Sequence, residues 1–405
     1  MTAVNYVDRV NLSVGAASIA KELSLSPVEL GWLFSAFLWS YIVCLIPAGS
    51  LADKYGFRYL PPLAVGFWSL ATAGTAAAFG LATLLICRIC LGAGEAFAWP
   101  LGTRTVRAWA PRSEYGLAIS AISLGQSFGV GFGALFVGWL VANSGWRIAF
   151  VVTGALGLLW AAVWLITVRD PRDTTWLDEG ERQQILATRD ETKVTDPGSG
   201  GYLDLLRSPP IWGITLGQGC LVYAYYMLLT WLPNYLQTQR HIAIFGSGLY
   251  TAIIYGTAVI GSIALARLTD LVFTPESLRA GSRRIAVVLS FIPALLMVTT
   301  PWLPEIWEVV LALTISITFL ANAISLNAVL CNDLVQRPGD AARAIATMTS
   351  GSNVIGVTAP IVTGYIVGSS ASFNNAFLLV GVVLVLGACL LLGLTRGGIG
   401  SAARR

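Results

Sequence analysis

Of 405 residues, 56% are hydrophobic and only 11% carry charge, and the mean hydropathy is +0.72. Soluble proteins carry charge on about a quarter of their residues, so this composition excludes an ordinary soluble protein and describes a chain that crosses a membrane many times. The formal net charge of +4 has no nucleic-acid implication.

Crossing hydrocarbon takes about 20 apolar residues, and runs of that length recur. The first is a short candidate from residue 1 to about 20. It is followed by 28–51, 60–79, 82–101, 117–141, 148–168, 211–236, 247–268, 285–302, 306–329, 344–367 and 373–394, which makes twelve. Few residues precede Asp8, so the helix that should hold Asp8 and Arg9 at mid-depth is expected to have lost about half its length. Either the start codon is placed too late or the chain is truncated. A charged leader followed by a long apolar run, the mark of a signal peptide, is absent from this stretch.

Six spans precede a polar stretch and six follow it. The expected organisation is a six-helix bundle over 1–168, a central loop over 169–207, a second six-helix bundle over 208–395 and a tail over 396–405. The loop opens RDPRDTTWLDEGERQQI, read as a surface helix, and closes DPGSGG, read as a linker. Most of the 25 basic residues fall on one side: Lys54 and Arg58, Arg104 to Arg112, Arg169 to Arg207, Arg267 to Arg284, Arg337 and Arg343, and Arg396 to Arg405. Lys21, Arg147 and Arg240 fall on the other. This bias puts both termini and the central loop in the cytoplasm.

Charge inside the spans is rare and concentrated. The stretch 84–100, LLICRICLGAGEAFAWP, carries Arg88 and Glu95, seven residues apart and so on one helix face. A charge near the bilayer centre costs at least ~2.5–3.5 kcal/mol and marks a protein interior or a watered path. The two stand about 10 Å apart along the axis, out of comfortable reach of each other. Arg88 therefore needs a carboxylate such as Asp8, and Glu95 needs a cation or a proton. Asp8 and Arg9 are adjacent, point about 100° apart and must each find a partner on another helix.

Other polar residues stand in apolar surroundings. Tyr41, near Trp39, needs a partner for its hydroxyl, either a packing neighbour or a bound carboxylate. Gln126 interrupts SLGQSFGVGFG, where glycines let helices approach and an interhelical hydrogen bond is one reading. The second half offers neutral groups: Tyr226, Asn322, Asn327, and Ser350 with Asn353 three residues on and on the same face. Asp333 reads as a gate or loop contact at a helix end. Trp146, Trp302 and Trp307 read as interfacial anchors. Cys44, Cys87, Cys90, Cys220, Cys331 and Cys389 mostly lie within apolar spans as small hydrophobes; Cys87-x-x-Cys90 encloses Arg88 in a membrane helix and suits no redox role. With one histidine, His241, and no metal-ligand spacing, no metal is expected. The chain has no GxxxxGKS or GxxxxGKT run to cradle ATP phosphates.

An internal echo joins the halves. GSLADKYGFR follows the 28–51 span and ALARLTDLVF the 247–268 span, each setting an acid, Asp53 or Asp270, just past a helix end. There it can latch one face through neighbouring helix ends and bases. Parallel halves are one standard transporter plan. The run Gly49-Ser-Leu-Ala-Asp53-Lys54-Tyr-Gly56-Phe57-Arg58 resembles the major facilitator superfamily signature G-x-L-(A/S)-D-(R/K)-x-G-(R/K)-(R/K), with Phe57 where a base is common. NYVDRVNLS, FSAFLWSY, GEAFAWP, TWLPNYL and SGSNVIG resemble the anion:cation symporter family, which holds galactonate, hexuronate, glucarate, tartrate and aromatic carboxylate transporters with animal sialic-acid and phosphate relatives. The resemblance covers essentially the whole chain. After Pro100, GTRTV replaces an asparagine-containing run, and Tyr115 stands at a common arginine position.

The resemblance implies an all-α fold of twelve transmembrane helices in two six-helix bundles. It implies a secondary transporter in a bacterial inner membrane that takes up an organic anion with protons by alternating access. A monomer is expected, with a small carboxylate and the bilayer as partners, no nucleic acid, and no cofactor beyond the proton as coupling ion. Implied substrate-binding residues are Arg9, Tyr41, Gln126, Tyr226, Ser350 and Asn353. Proton coupling falls to Asp8 and Glu95 with Arg88 as modulator, and gating to Asp53, Lys54, Arg58 and Asp270. The first half would handle proton and carboxylate, the second the rest of the substrate. Trp39, Tyr226, Trp231, Asn322 and Asn353 suit a sugar acid or an aromatic acid alike. The alternatives are an anion exchanger or exporter without net proton movement, and a non-transporting sensor or scaffold. An enzyme is disfavoured because no nucleophile–base pair or metal set is visible.

Overall fold

The computed structural model describes residues 1–111, 114–174, 177–188, 202–272, 282–336, 340–395 and 399. Among these the only β pairing is an isolated bridge between Val335 and Ile399; the rest of the regular structure is helical. The chain forms two compact units. One comprises Met1–Lys193 with Leu236–Ala252, the other Val194–Tyr235 with Ile253–Arg405.

The first unit is built from α1 (Thr2–Leu23), α2 (Pro27–Tyr55), α3 (Leu60–Thr75), α4 (Leu81–Glu95), α5 (Ala98–Trp109), α6 (Tyr115–Thr167) and the surface helix α7 (Glu179–Thr188). The 22 residues of α1 rise about 33 Å, close to the thickness of the hydrocarbon, with Asp8 and Arg9 in its N-terminal half. The start of α2 is written in its sequence: Ser26 accepts from the Glu29 N–H, the Glu29 carboxylate accepts from the Ser26 N–H, and Pro27 takes the first helical position.

Close helix crossings set the unit's geometry. A Cβ on Gly92 would lie 2.2 Å from the Phe37 carbonyl oxygen of α2, and one on Gly94 2.8 Å from the Trp68 Cβ of α3. Across α3 and α6, a Cβ on Gly154 would come within 2.7 Å of the Ser69 carbonyl oxygen, and one on Gly157 within 2.0 Å of its hydroxyl. Absent side chains let these backbones approach.

The second unit contains α8 (Tyr202–Leu206), α9 (Pro209–Thr238), α10 (Ile244–Val272), α11 (Ser282–Ala294) with a 3-10 turn over Leu295–Trp302, α12 (Ile306–Leu334), α13 (Ala341–Gly356), α14 (Thr358–Ser370) and α15 (Asn374–Leu394). The end of α9 and the start of α10 group with the first unit.

Two expected spans are each divided into two α-helices. The span 82–101 breaks between Glu95 and Ala98, and 344–367 breaks at Val357. A proline has no N–H for the carbonyl four residues back and its ring crowds that carbonyl. Pro100 does this to Ala96 and Pro360 to Gly356, which is where the helices part. The expected spans 117–141 and 148–168 are the two helices of α6, which part at Gly145 with φ 80° and ψ 164°, a conformation glycine tolerates.

Eight helices among the described residues are long and apolar enough to cross a membrane by themselves. The second half of α6, the 16-residue α3, and the more polar α1 and α9 account for the other expected crossings. Ile46, Leu117 and Ile260 are 78%, 75% and 70% exposed, an apolar exterior suited to lipid. The 196–201 linker, the bases Arg112, Arg189, Lys193, Arg279, Arg337, Arg396, Arg404 and Arg405, and the tail apart from Ile399 lie outside the described residues.

Candidate functional site

Arg9 stands where α1, α2 and α4 meet. Its Nε donates to Glu95 Oε2 at 2.9 Å, with the glutamate side chain fully buried. The guanidinium carbon lies 4.6, 4.8 and 4.9 Å from the ring centres of Tyr6, Phe37 and Tyr41. Tyr6 is one turn before Arg9 on α1, and Phe37 and Tyr41 are one turn apart on α2, so helical periodicity builds the aromatic enclosure. Rings around a guanidinium stabilise the cation and keep water away. The cation that Glu95 needed is therefore Arg9.

The other expected pair does not form. Asp8 is fully buried and Arg88 is 3% exposed. Arg88 is in the electrostatic field of both Asp8 and Glu95, but its Nε and Nη2 and both Asp8 oxygens make no hydrogen bond among the described residues. Spacing along α4 is set by the helix, while the neighbour each side chain meets depends on how α1 is rotated. Two arginines and two carboxylates thus share one interior, with formal charges that cancel. A buried charge without compensation costs several kcal/mol.

Further polar groups surround this cluster that the sequence reading passed over. Asn5 of α1 and Trp68, Ser69 and Thr72 of α3 are at most 2% exposed, and Asn5 Nδ2, the indole N–H and both hydroxyls lack hydrogen-bond partners among the described residues. Asn11 donates to Thr153 Oγ1 at 2.8 Å, tying α1 to α6. The available signal was polar residues at positions 68, 69 and 72 within an apolar span. Gln126 lies on α6 and is half-buried.

In the second unit the Tyr226 hydroxyl donates to Asn353 Oδ1 at 2.7 Å, so two expected substrate residues meet. Asn353 Nδ2 donates to the Thr349 carbonyl at 2.8 Å, and Ser350, on the same helix, is exposed. Other polar groups have internal packing partners. Trp231 donates to the Pro360 carbonyl, Asn322 to Ser290, and Asn327 to Gln218 and the Ile214 carbonyl.

At the helix ends, Lys54 lies over Tyr55 at 5.2 Å and Arg58 over Tyr59 at 4.9 Å. Asp53 and Asp270 fall within the final turns of α2 and α10 rather than beyond them; their side chains lie outside the described set. Asp333 pairs with Arg283. Trp302 and Trp307 are exposed, as membrane anchors are, whereas Trp146 is 3% exposed and donates to Glu22 at 2.6 Å. Arg147 stacks on Trp146 and donates to both Glu22 and the Ala78 carbonyl. Trp146 thus ties the bend in α6 to α1, corrected from a lipid anchor, and Arg147 beside it reaches the turn after α3.

Comparison with known proteins agrees with this architecture. The chain is 29% identical to the probable galactarate/D-glucarate transporter GudP of Escherichia coli over 94% of its length and 88% of that protein. It is 30% identical to the probable sulfoacetate transporter SauU of Cupriavidus necator, covering 96% and 90%. Its fold matches a bacterial homolog of the human lysosomal transporter Spinster in an inward-facing, occupied conformation, with a TM-score of 0.78 at 18% identity over 100% of this chain and 97% of that one. It also matches a D-xylose–proton symporter at 0.74 and 15%, covering 99% and 98%. All four are described as transporters or homologues of transporters. With the Major Facilitator Superfamily model matching residues 1–337, the chain belongs to that superfamily and is an integral membrane transporter of its all-helical fold.

Proposed function

We propose that this protein imports a small organic anion, a sugar acid or another carboxylate, together with protons by alternating access. The observation that carries the reading is the Arg9–Glu95 pair inside its aromatic enclosure. A guanidinium binds carboxylates through a fork of donors, and the Glu95 carboxylate and an arriving substrate carboxylate compete for it. A proton on Glu95 removes that competitor's charge and frees Arg9. Proton and anion then enter as a pair, and the buried formal charge remains zero.

Relatives named for galactarate, D-glucarate, D-galactonate and sulfoacetate support a carboxylate as the cargo. In this reading Tyr41 joins Arg9 at the carboxylate, Gln126, Tyr226, Ser350 and Asn353 read the remainder, and Asp53, Lys54, Arg58 and Asp270 gate the cytoplasmic side. The monomeric carrier lies in the inner membrane as two six-helix bundles, 1–168 and 208–395, with both termini cytoplasmic.

Proteoliposomes test it. An inward pH gradient drives accumulation of a labelled sugar acid, and a protonophore abolishes it. Glu95→Gln keeps counterflow but loses gradient-driven accumulation. Accumulation indifferent to the protonophore would establish exchange in its place.

A further inference from the structure

The run TRGGIGSAARR that follows α15 holds one bulky apolar residue, Ile399. It is 1% exposed. Its side chain is buried with Leu205 of α8, Ile211 and Ile214 at the start of α9, Cys331 near the end of α12, and Ala344 and Met348 of α13, all within the second unit. Its backbone is engaged as well. The last carbonyls of a helix have no partner inside it, and the Ile399 N–H donates to one of them, Leu334 at the end of α12, at 2.6 Å. The Ile399 carbonyl accepts from the Gln336 N–H at 3.2 Å, which completes the parallel bridge between Val335 and Ile399. One residue thus closes the end of α12 and fastens that end to α8, α9 and α13. What it fastens is set up to move. α13 carries Asn353, which accepts from the Tyr226 hydroxyl, and it parts from α14 at Val357, where Pro360 denies the Gly356 carbonyl a donor. Residues at the ends of elements are where hinges absorb a change of angle. α13 is therefore jointed at one end and fastened at the other. The neighbouring helices at the fastened end hold one another without Ile399: Arg283 of α11 pairs with Asp333 of α12, and Arg284 donates to the Thr395 carbonyl beyond α15 at 3.3 Å.

We propose that Ile399 is a clasp. Seated, it holds the Ala341 end of α13 against α8, α9 and α12; it leaves its seat for α13 to turn about Val357 in each transport cycle. The clasp concerns how the carrier moves and is independent of what it carries. Its hold consists of one apolar side chain and two backbone hydrogen bonds, contacts that open and close without covalent change. Because Ile399 stands alone, its release uncovers the seat while the ion pair of Arg283 with Asp333 and the bond from Arg284 keep α11, α12 and the end of α15 together. The seat also contains its own reporter. Cys331 is a free cysteine and 0% exposed within the cluster that Ile399 completes, so access to its thiol reads whether the clasp is seated.

The test uses the purified full-length protein. Alkylation of Cys331 by a maleimide, followed by mass spectrometry of its peptide, is expected to be slow in the wild type and about tenfold faster in Ile399→Asp, where a carboxylate replaces the apolar side chain. Ile399→Val is expected to restore the slow rate. Val335→Cys combined with Ile399→Cys sets two thiols on facing positions of the bridge. Paired backbones lie ~4.8 Å apart, within the ~4.4–6.8 Å between Cα atoms that a disulfide spans. Once oxidised, this double variant is expected to lose D-glucarate counterflow in proteoliposomes about tenfold and to regain it on reduction, while the same oxidant leaves the wild type unaffected. Counterflow at equal rates before and after reduction overturns the clasp, as does Cys331 labelling unchanged in Ile399→Asp or failure of the two thiols to join. Should Ile399→Asp not fold, Ile399→Ala carries the labelling. If the wild type carries no D-glucarate, it is the sugar-acid reading that fails, and the labelling decides the clasp: alkylation of Cys331 slowed by the disulfide upholds it, and alkylation indifferent to the disulfide overturns it.

Discussion

Arg9 has one guanidinium and two competitors for it. Nε is given to Glu95, and three rings restrict the faces of the group. A lysine keeps the charge but has neither the planar fork nor the flat surface that stacks against rings. Arg9→Lys is therefore expected to raise the KM for a carboxylate substrate by about 10–100-fold, the range for losing a hydrogen bond to a charged group, with the protein still folded. An unchanged KM in a proteoliposome uptake assay would remove Arg9 from the substrate site. At this scale the sequence exposed every ionised member of the cluster, because charge inside an apolar run is rare. It could not say that Glu95 would take Arg9 while Asp8 and Arg88 stayed apart, since that depends on the rotation of α1 against α4. Trp68, Ser69 and Thr72 escaped notice because such residues are common in membrane helices and are usually satisfied locally.

Among the elements, two proline breaks stand beside candidate residues. One follows Glu95 directly and the other lies one turn beyond Asn353. Short tightened stretches within helices often mark hinges, and a kink has an identifiable cause. Pro100→Ala restores the missing N–H and relieves the crowded carbonyl. Its expected result is an unchanged or raised melting temperature with slower transport, measured by thermal unfolding and by initial uptake rates. Transport at the wild-type rate would show that the break serves packing alone. Hydropathy made the spans legible to within a few residues, but it also ran past Pro100 and Pro360, because a long apolar average conceals a single residue that cannot donate a hydrogen bond. It did separate the two helices of α6, which part at Gly145.

For the whole molecule, the family and its helical fold were legible from the signature around Gly49–Arg58 and from the repeated spans. The cargo was not: in the proposed reading a few neutral side chains such as Tyr226 and Asn353 select it, and their pairing depends on tertiary contact. Ligand binding stabilises the folded state by mass action. In a thermal-shift panel of sugar acids, sulfonated acids and aromatic carboxylates, a true cargo at about a hundred times its Kd is expected to add about 2.7 kcal/mol of stability. The same ligand is expected to lose that effect in Arg9→Lys. A panel in which no carboxylate raises the melting temperature, on protein shown to be folded, would count against an organic anion as cargo.

The crossings at Gly92, Gly94, Gly154 and Gly157 also bear on how this protein changes over generations. Every missense step away from a glycine codon adds a Cβ, and at these four positions that atom meets backbone or a tightly packed side chain. Here the genetic code offers no neutral neighbour. A single added methyl at any of the four therefore forces two helices of this carrier apart.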